Sequence, residues 1–184
     1  MERTVKILSQ CIVWGVDILN VLITIGSMVG CKFTRLFQIV DELCEEKVLN
    51  KEHVIAQTGH DGYRSAYYKT FDMMSDEKFK QLISDSYVII SHAGTGTVTS
   101  CLKKGKKVIL FPRLVEFGEH YDNHQLDLCD IFVNKGYVLC AKNKEELREC
   151  IVNIDDFNPK KFESQNEYIN DLIIKFIETG EVDQ

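Results

Sequence analysis

Proline is scarce here, with two residues in a chain of 184. That excludes a polyproline or collagen-like chain, and no repeat or low-complexity segment suggests a solenoid or linker. Basic residues are outnumbered, 22 Lys+Arg against 28 Asp+Glu for a formal net charge of −6, and the largest basic cluster is Lys103–Lys107. Non-specific nucleic-acid binding needs a broad positive footprint, which is missing. Small molecules or other proteins are the partners this composition favours. The seven cysteines include no Cys-x-x-Cys pair, so neither a zinc site nor a redox pair is signalled. Residues such as Cys44, Cys101 and Cys129 read as small core fillers of a protein in a reducing, cytosolic compartment.

A long uninterrupted apolar run is also absent. The stretch from Val5 to Ile25 comes nearest, but Lys6, Gln10, Asp17 and Asn20 break it. A membrane-spanning helix wants about 20 residues with few or no charges. No small-residue cleavage site follows, so a signal peptide is not indicated. Val5, Leu8, Ile12, Val16 and Leu19 instead recur at steps of three and four, as one face of a helix. That helix either packs on its own domain or docks on a partner or membrane surface. The expected organisation is a helical extension over residues 1–20 and one lobe over 21–184.

What is present is an alternation of strands and helices. VLITIG (21–26), HVIAQTG (53–59), a segment near Tyr67–Phe71, SYVII (86–90), KKVILFP (106–112) and GYVLC (136–140) read as short strands. Helices are predicted over 32–47, from Ser75 as N-cap, through Leu102, over 119–134, over 143–151 and over 163–180. Strands that are apolar throughout, each followed by a helix, predict an α/β fold. Its sheet is Rossmann-like, parallel and covered on both faces.

The glycine-bearing turns fall at the carboxyl ends of these strands: Gly26, Gly59, and the Gly94/Gly96 pair of VIISHAGTGTVTS. Such a turn is either a tight β–α connection or an anion cradle, in which free N–H groups and the helix dipole hold a phosphate. Open parallel sheets bind ligands at that edge. Several polar glycine loops converging on one rim therefore strengthen the cradle reading.

A second polar cluster follows Pro112. RLVEFGEHYDNHQLDL gathers Arg113, Glu116, Glu119, His120, Asp122, Asn123, His124 and Gln125. Acidic residues at a helix start suit its dipole. The amides and imidazoles suit a sugar, whose hydroxyls both give and accept hydrogen bonds. His120 and His124 have zinc-like spacing, but the ligand set is incomplete and lacks a metalloprotease glutamate, so no metal is expected. Ser91 and His92 make a poor nucleophile pair because adjacent strand residues point apart, and no G-x-S-x-G is present.

Together, SHAGTGTVTS and PRLVEFGEHYDNHQ resemble the donor-binding C-terminal domain of family 28 glycosyltransferases. The resemblance runs from about Val21 to Cys150. It is closest to small split enzymes: bacterial capsule and exopolysaccharide transferase subunits, and the eukaryotic dolichol-pathway UDP-N-acetylglucosamine transferase subunit. The EFGEH form favours the bacterial type. The resemblance implies a single GT-B-type lobe gripping a UDP-sugar without metal or other cofactor. It implies diphosphate binding by Gly94, Thr95, Gly96 and Thr97, and sugar binding by Asp122, Asn123, His124 and Gln125. Gly26, Ser27, Gln57, Thr58, Gly59, Ser91, His92, Glu116, Glu119 and His120 would line the cleft.

It also implies a membrane-anchored partner lobe that supplies the acceptor site and catalytic base. The partner would recruit this cytoplasmic subunit to the membrane face, where a lipid-linked acceptor is glycosylated. Two departures stand out. Ser100 occupies the position where many members hold the ribose with an acidic residue, and about twenty residues precede the first strand. A non-catalytic nucleotide-binding module is the competing reading. A dinucleotide-dependent oxidoreductase is disfavoured because S-H-A-G-T-G-T lacks the G-x-G-x-x-G spacing.

Overall fold

A computed structural model describes residues 20–163. The helices expected over 1–20 and 163–180 therefore fall almost wholly outside the described residues. Within them, six parallel strands form one sheet in the order β3-β2-β1-β4-β5-β6. The strands are β1 (Val21–Thr24), β2 (Val54–Gln57), β3 (Lys69–Phe71), β4 (Val88–Ser91), β5 (Lys107–Leu110) and β6 (Leu139–Cys140). The helices are α1 (Thr34–Glu45), α2 (Asp76–Asp85), α3 (Thr95–Lys103), α4 (His124–Asn134) and α5 (Lys144–Val152). The α/β reading of the sequence holds. This is a Rossmann-like lobe of the GT-B type.

The central strands each carry three successive apolar residues, Val21–Ile23, Val54–Ala56, Val88–Ile90 and Val108–Leu110, because both faces are covered. Side chains alternate across a strand. On one face Val21, Ile23, Val88, Ile90 and Ile109 meet Leu36, Phe37 and Val40 of α1 with Leu147 and Ile151 of α5. On the other, Leu22, Ile89, Val108 and Leu110 meet Ile83 of α2, Val98 and Cys101 of α3, and Cys129 and Phe132 of α4. Burying one such Leu or Ile side chain contributes about 1.5–3 kcal/mol.

β1 pairs with β2 on one side and β4 on the other, with Thr24 level with both Gln57 and Ser91. Strand order reverses there, the position at which open α/β sheets bind ligands. The loops leaving β1 and β4 therefore lie side by side at that edge.

One expected helix is shorter than its sequence suggests. The helix predicted over 119–134 begins only at His124. Upstream, Val115–Phe117 is a 3₁₀ turn closed by Gly118 in the left-handed region (φ 68°). That turn drives Glu119 inward, and the chain cannot become α-helical until Asn123. Strand β6 is likewise confined to the last two residues of GYVLC.

Candidate functional site

The glycine turn after β4 runs straight into α3. Gly94 is the N-cap and has no side chain to satisfy the first turn, so the N–H groups of Thr95, Gly96 and Thr97 are left to solvent or a ligand. Thr95 and Gly96 are exposed. Ser91 is fully buried at the end of β4, and its hydroxyl donates to the His92 carbonyl at 2.9 Å. Ser100, the ribose candidate, instead donates to the Gly96 carbonyl at 2.8 Å.

His92 forms the floor of this turn. Its main-chain N–H donates to the Thr24 carbonyl at 3.3 Å, tying β4 to β1. Its ring is wedged between two glycines. A Cβ on Gly94 would lie 2.2 Å from Nε2, and one on Gly26 would lie 2.8 Å from Cε1. Gly59 is pressed against the same assembly, since its Cβ would meet the Gly26 carbonyl oxygen at 2.5 Å. These glycines are therefore required by close approach, whatever the ligand. Nδ1 of His92 is buried without a hydrogen-bond partner among the described residues. Burial, reinforced by the nearby Arg113 charge, holds the imidazole pKa down at about 4.

The polar segment after β5 reaches the same edge, because β5 pairs with β4 and the Phe111 N–H donates to the Ser91 carbonyl at 2.8 Å. Its expected sugar-binding residues divide. Asp122 and His124 are exposed and joined, with His124 donating through its main-chain N–H at 3.1 Å and through Nδ1. Those bonds keep the Asp122 carboxyl below the usual carboxylate range. His120 stands edge-on to His124, ring centroids 4.7 Å apart, although it precedes the helix. His120, Asp122 and His124 bring ligand-type atoms within 4.8 Å of one another, an arrangement that could also hold a cation. Gln125 is 4% exposed, and its Oε1 accepts from the Arg113 N–H at 3.0 Å. Asn123 is exposed but spends its Oδ1 on the Val115 N–H at 3.1 Å.

Several residues expected to line the cleft are buried and hydrogen-bonded within the protein. Glu119 is 3% exposed and turned inward, accepting from Arg35 at 2.9 and 2.8 Å and from the Leu114 N–H at 3.0 Å. Thr58 is fully buried, with its hydroxyl donating to Asp72 at 3.0 Å and to the Phe71 carbonyl at 3.2 Å. Gln57 accepts from the Thr24 hydroxyl at 2.6 Å. These groups hold loops together. Ser27 and Glu116 are exposed.

Three residues to which the sequence assigned no site role organise this edge, Arg113 of the polar cluster among them. Arg113 is fully buried, stacked 4.7 Å from the Phe33 ring, and donates to the carbonyls of Ile25, Cys31 and Glu119, each at 3.3 Å. Arg35 lies between the rings of Phe111 and Phe117, 4.6 and 4.5 Å from their centroids. Asp61 anchors the start of α1, accepting from the Phe33 N–H at 2.6 Å and from the Thr34 hydroxyl. No local pattern announces these partners, although Arg35 is conspicuous beside the apolar residues Phe33, Leu36 and Phe37.

Residues 20–175 match the glycosyltransferase family 28 C-terminal domain. Over 84 residues the chain is 34% identical to the UDP-N-acetylglucosamine transferase subunit ALG13 of Candida albicans. That match covers 45% of this chain and 27% of the length of that curated relative. The solution structure of ALG13 superposes with a TM-score of 0.55 at 22% identity, covering 89% of this chain and 98% of that one. The structure of S. aureus MnaA with UDP superposes with a TM-score of 0.60 at 12% identity, covering 97% of this chain and 50% of that one. At such identities the two structures attest to the fold. No helix among the described residues is long and apolar enough to cross a membrane.

Proposed function

Because this chain belongs to the glycosyltransferase family 28 C-terminal domain family, we propose that it is the donor-binding subunit of a UDP-sugar-dependent glycosyltransferase. In this reading it transfers a hexose or N-acetylhexosamine to a polyprenyl-diphosphate-linked sugar in polysaccharide synthesis. The observation that carries the reading is a juxtaposition. An uncapped, glycine-initiated helix start leaves one strand, and a cluster of imidazole, carboxylate and amide groups leaves its hydrogen-bonded neighbour at the same sheet edge.

The diphosphate sits on the N–H groups of Thr95, Gly96 and Thr97, where the α3 dipole offsets negative charge. As the glycosidic bond to the donor breaks, charge grows on the departing UDP, and those fixed N–H groups stabilise it without reorganising. His124, held in one orientation by Asp122, and the amide of Gln125 meet the sugar hydroxyls. This chain offers no acceptor site or base of its own in the proposal. A membrane-anchored partner lobe supplies both and brings the subunit to the cytoplasmic membrane face. The name of the fungal relative favours a second version, in which N-acetylglucosamine is the sugar, with the dolichol-type carrier that the sequence resemblance implies.

Co-expression with a membrane-anchored partner lobe, followed by transfer assays on a lipid-linked acceptor, tests the proposal. The complex transfers sugar from a UDP-sugar, and transfer persists in EDTA. Gln125→Ala lowers transfer by about tenfold or more, as expected for a lost directional contact, while UDP binding survives. Retained UDP binding without any transfer would favour the non-catalytic module. Loss in EDTA restored by zinc would turn His120, Asp122 and His124 into a metal site.

A further inference from the structure

We propose that Arg35 and Glu119, with Arg113, are positioning residues for the donor sugar. They fix the segment carrying His124 and Gln125 at a set distance from the turn that holds the diphosphate. The inference rests on the donor-binding reading above and goes beyond it by dividing the site into two separately supported halves.

The geometry is a short relay. Consecutive main-chain N–H groups, those of Arg113 and Leu114, each hold one side chain at 3.0 Å: Gln125 on the first and Glu119 on the second. A displacement of Glu119 therefore moves the peptide on which Gln125 hangs. Glu119 is anchored in turn to α1 by the Arg35 fork, across 84 residues of sequence. Arg35 also donates to the carbonyls of Pro112 and Lys142, at 3.1 and 2.8 Å. Both ends of the Pro112–Glu119 turn are thus fixed to the same helix. Arg113 closes the arrangement by joining that turn to the loop after β1.

Stability alone does not account for this construction. Two guanidinium groups and a carboxylate are withdrawn from water, Arg113 entirely, and its Nε is left without a partner among the described residues. Well-packed apolar side chains in such places are often as stable or more so. A guanidinium offers what an alkyl chain lacks, several donors in one rigid plane that hold carbonyls of different loops in register. None of the three side chains bonds to the Gly94–Thr97 turn. The Arg35–Glu119 pair, which bonds neither to that turn nor to the His92 floor beneath it, therefore governs the sugar half.

The test compares UDP with a panel of UDP-hexoses and UDP-N-acetylhexosamines by calorimetric titration of wild type, Glu119→Gln and Arg35→Lys. Both variants roughly preserve size, and Arg35→Lys, which keeps the charge but gives up the fork on Glu119 and the guanidinium bonds to the Pro112 and Lys142 carbonyls, carries the test if Glu119→Gln does not fold. Each variant binds UDP within about twofold of wild type, while the best UDP-sugar weakens about tenfold, the worth of roughly one hydrogen bond. Parallel weakening of UDP and UDP-sugar would show a merely structural role and overturn the proposal. Unchanged binding of both would overturn it too, as would a wild type for which the sugar makes no difference. A wild type that binds no UDP at all would instead sink the donor-binding reading itself.

Discussion

Gly96→Val abolishes UDP binding and leaves the fold intact, whereas Gly94→Ala damages the fold as well. The two glycines are two residues apart but face different surroundings. A Cβ on Gly96 would meet nothing within 4 Å. Valine is also no worse a helix former than glycine, so its thermal midpoint stays within a few degrees of wild type. Its branched side chain stands among the N–H groups that the diphosphate needs. A Cβ on Gly94 would lie 2.2 Å from the ring of His92, and that ring has no room to retreat because Gly26 backs it on the other side. Overpacking of this kind costs about 1–3 kcal/mol, read as a lower midpoint of thermal or urea unfolding. Titration with UDP alongside those melts separates the two effects. A Gly96→Val protein that binds UDP as wild type does would remove the diphosphate from this turn.

The second large effect is on stability against pH, and it arises from His92. Its folded pKa of about 4 lies well below the ordinary histidine value of 6.5, mainly through burial and then through the Arg113 charge. The unfolded chain takes up a proton near pH 6.5 while the folded protein declines it until about pH 4. Stability is therefore complete above pH 6.5 and falls as pH drops through that window. The loss is on the order of 3 kcal/mol once pH 4 is reached. About 2 kcal/mol of this appears between pH 7 and 5. His92→Gln removes the titration, so the difference between its urea-unfolding free energies at pH 7 and 5 is smaller than that of wild type by about this amount. Equal differences in the two proteins would mean that the imidazole is not held neutral by the fold.

The architecture could be read from the chain because its causes are local. Val21, Leu22 and Ile23 are apolar in succession since each face of β1 meets helices, and the composition of one strand reveals that. Ser75 was identifiable as a cap from its neighbours, and it accepts from the Lys78 N–H as a cap should. The site was legible only in part. Glu119 looks like an acidic residue at a helix start, a reading that local sequence supports and long-range contact overrides. Its partner Arg35 is 84 residues away, and Asp61 anchors the start of a helix that begins 27 residues earlier. No periodicity encodes such pairs. The late start of α4 has a similar cause, since Gly118 adopts a left-handed conformation and Asn123 gives its side chain to Val115. Gln57 and Thr58 likewise have partners that a strand end does not reveal: Gln57 accepts from Thr24 of β1, and Thr58 donates to Asp72 and the Phe71 carbonyl.

The central claim is that the N–H groups of Thr95, Gly96 and Thr97 hold the diphosphate of a UDP-sugar while His124 and Gln125 meet its sugar. Amide chemical shifts of the ¹⁵N-labelled protein during titration test it most directly. UDP should move the resonances of Gly94 to Thr97, and replacing UDP by a UDP-sugar should add shifts at His124 and the Gln125 side-chain amide. Saturating UDP that leaves the Gly94–Thr97 amides unmoved would contradict the account.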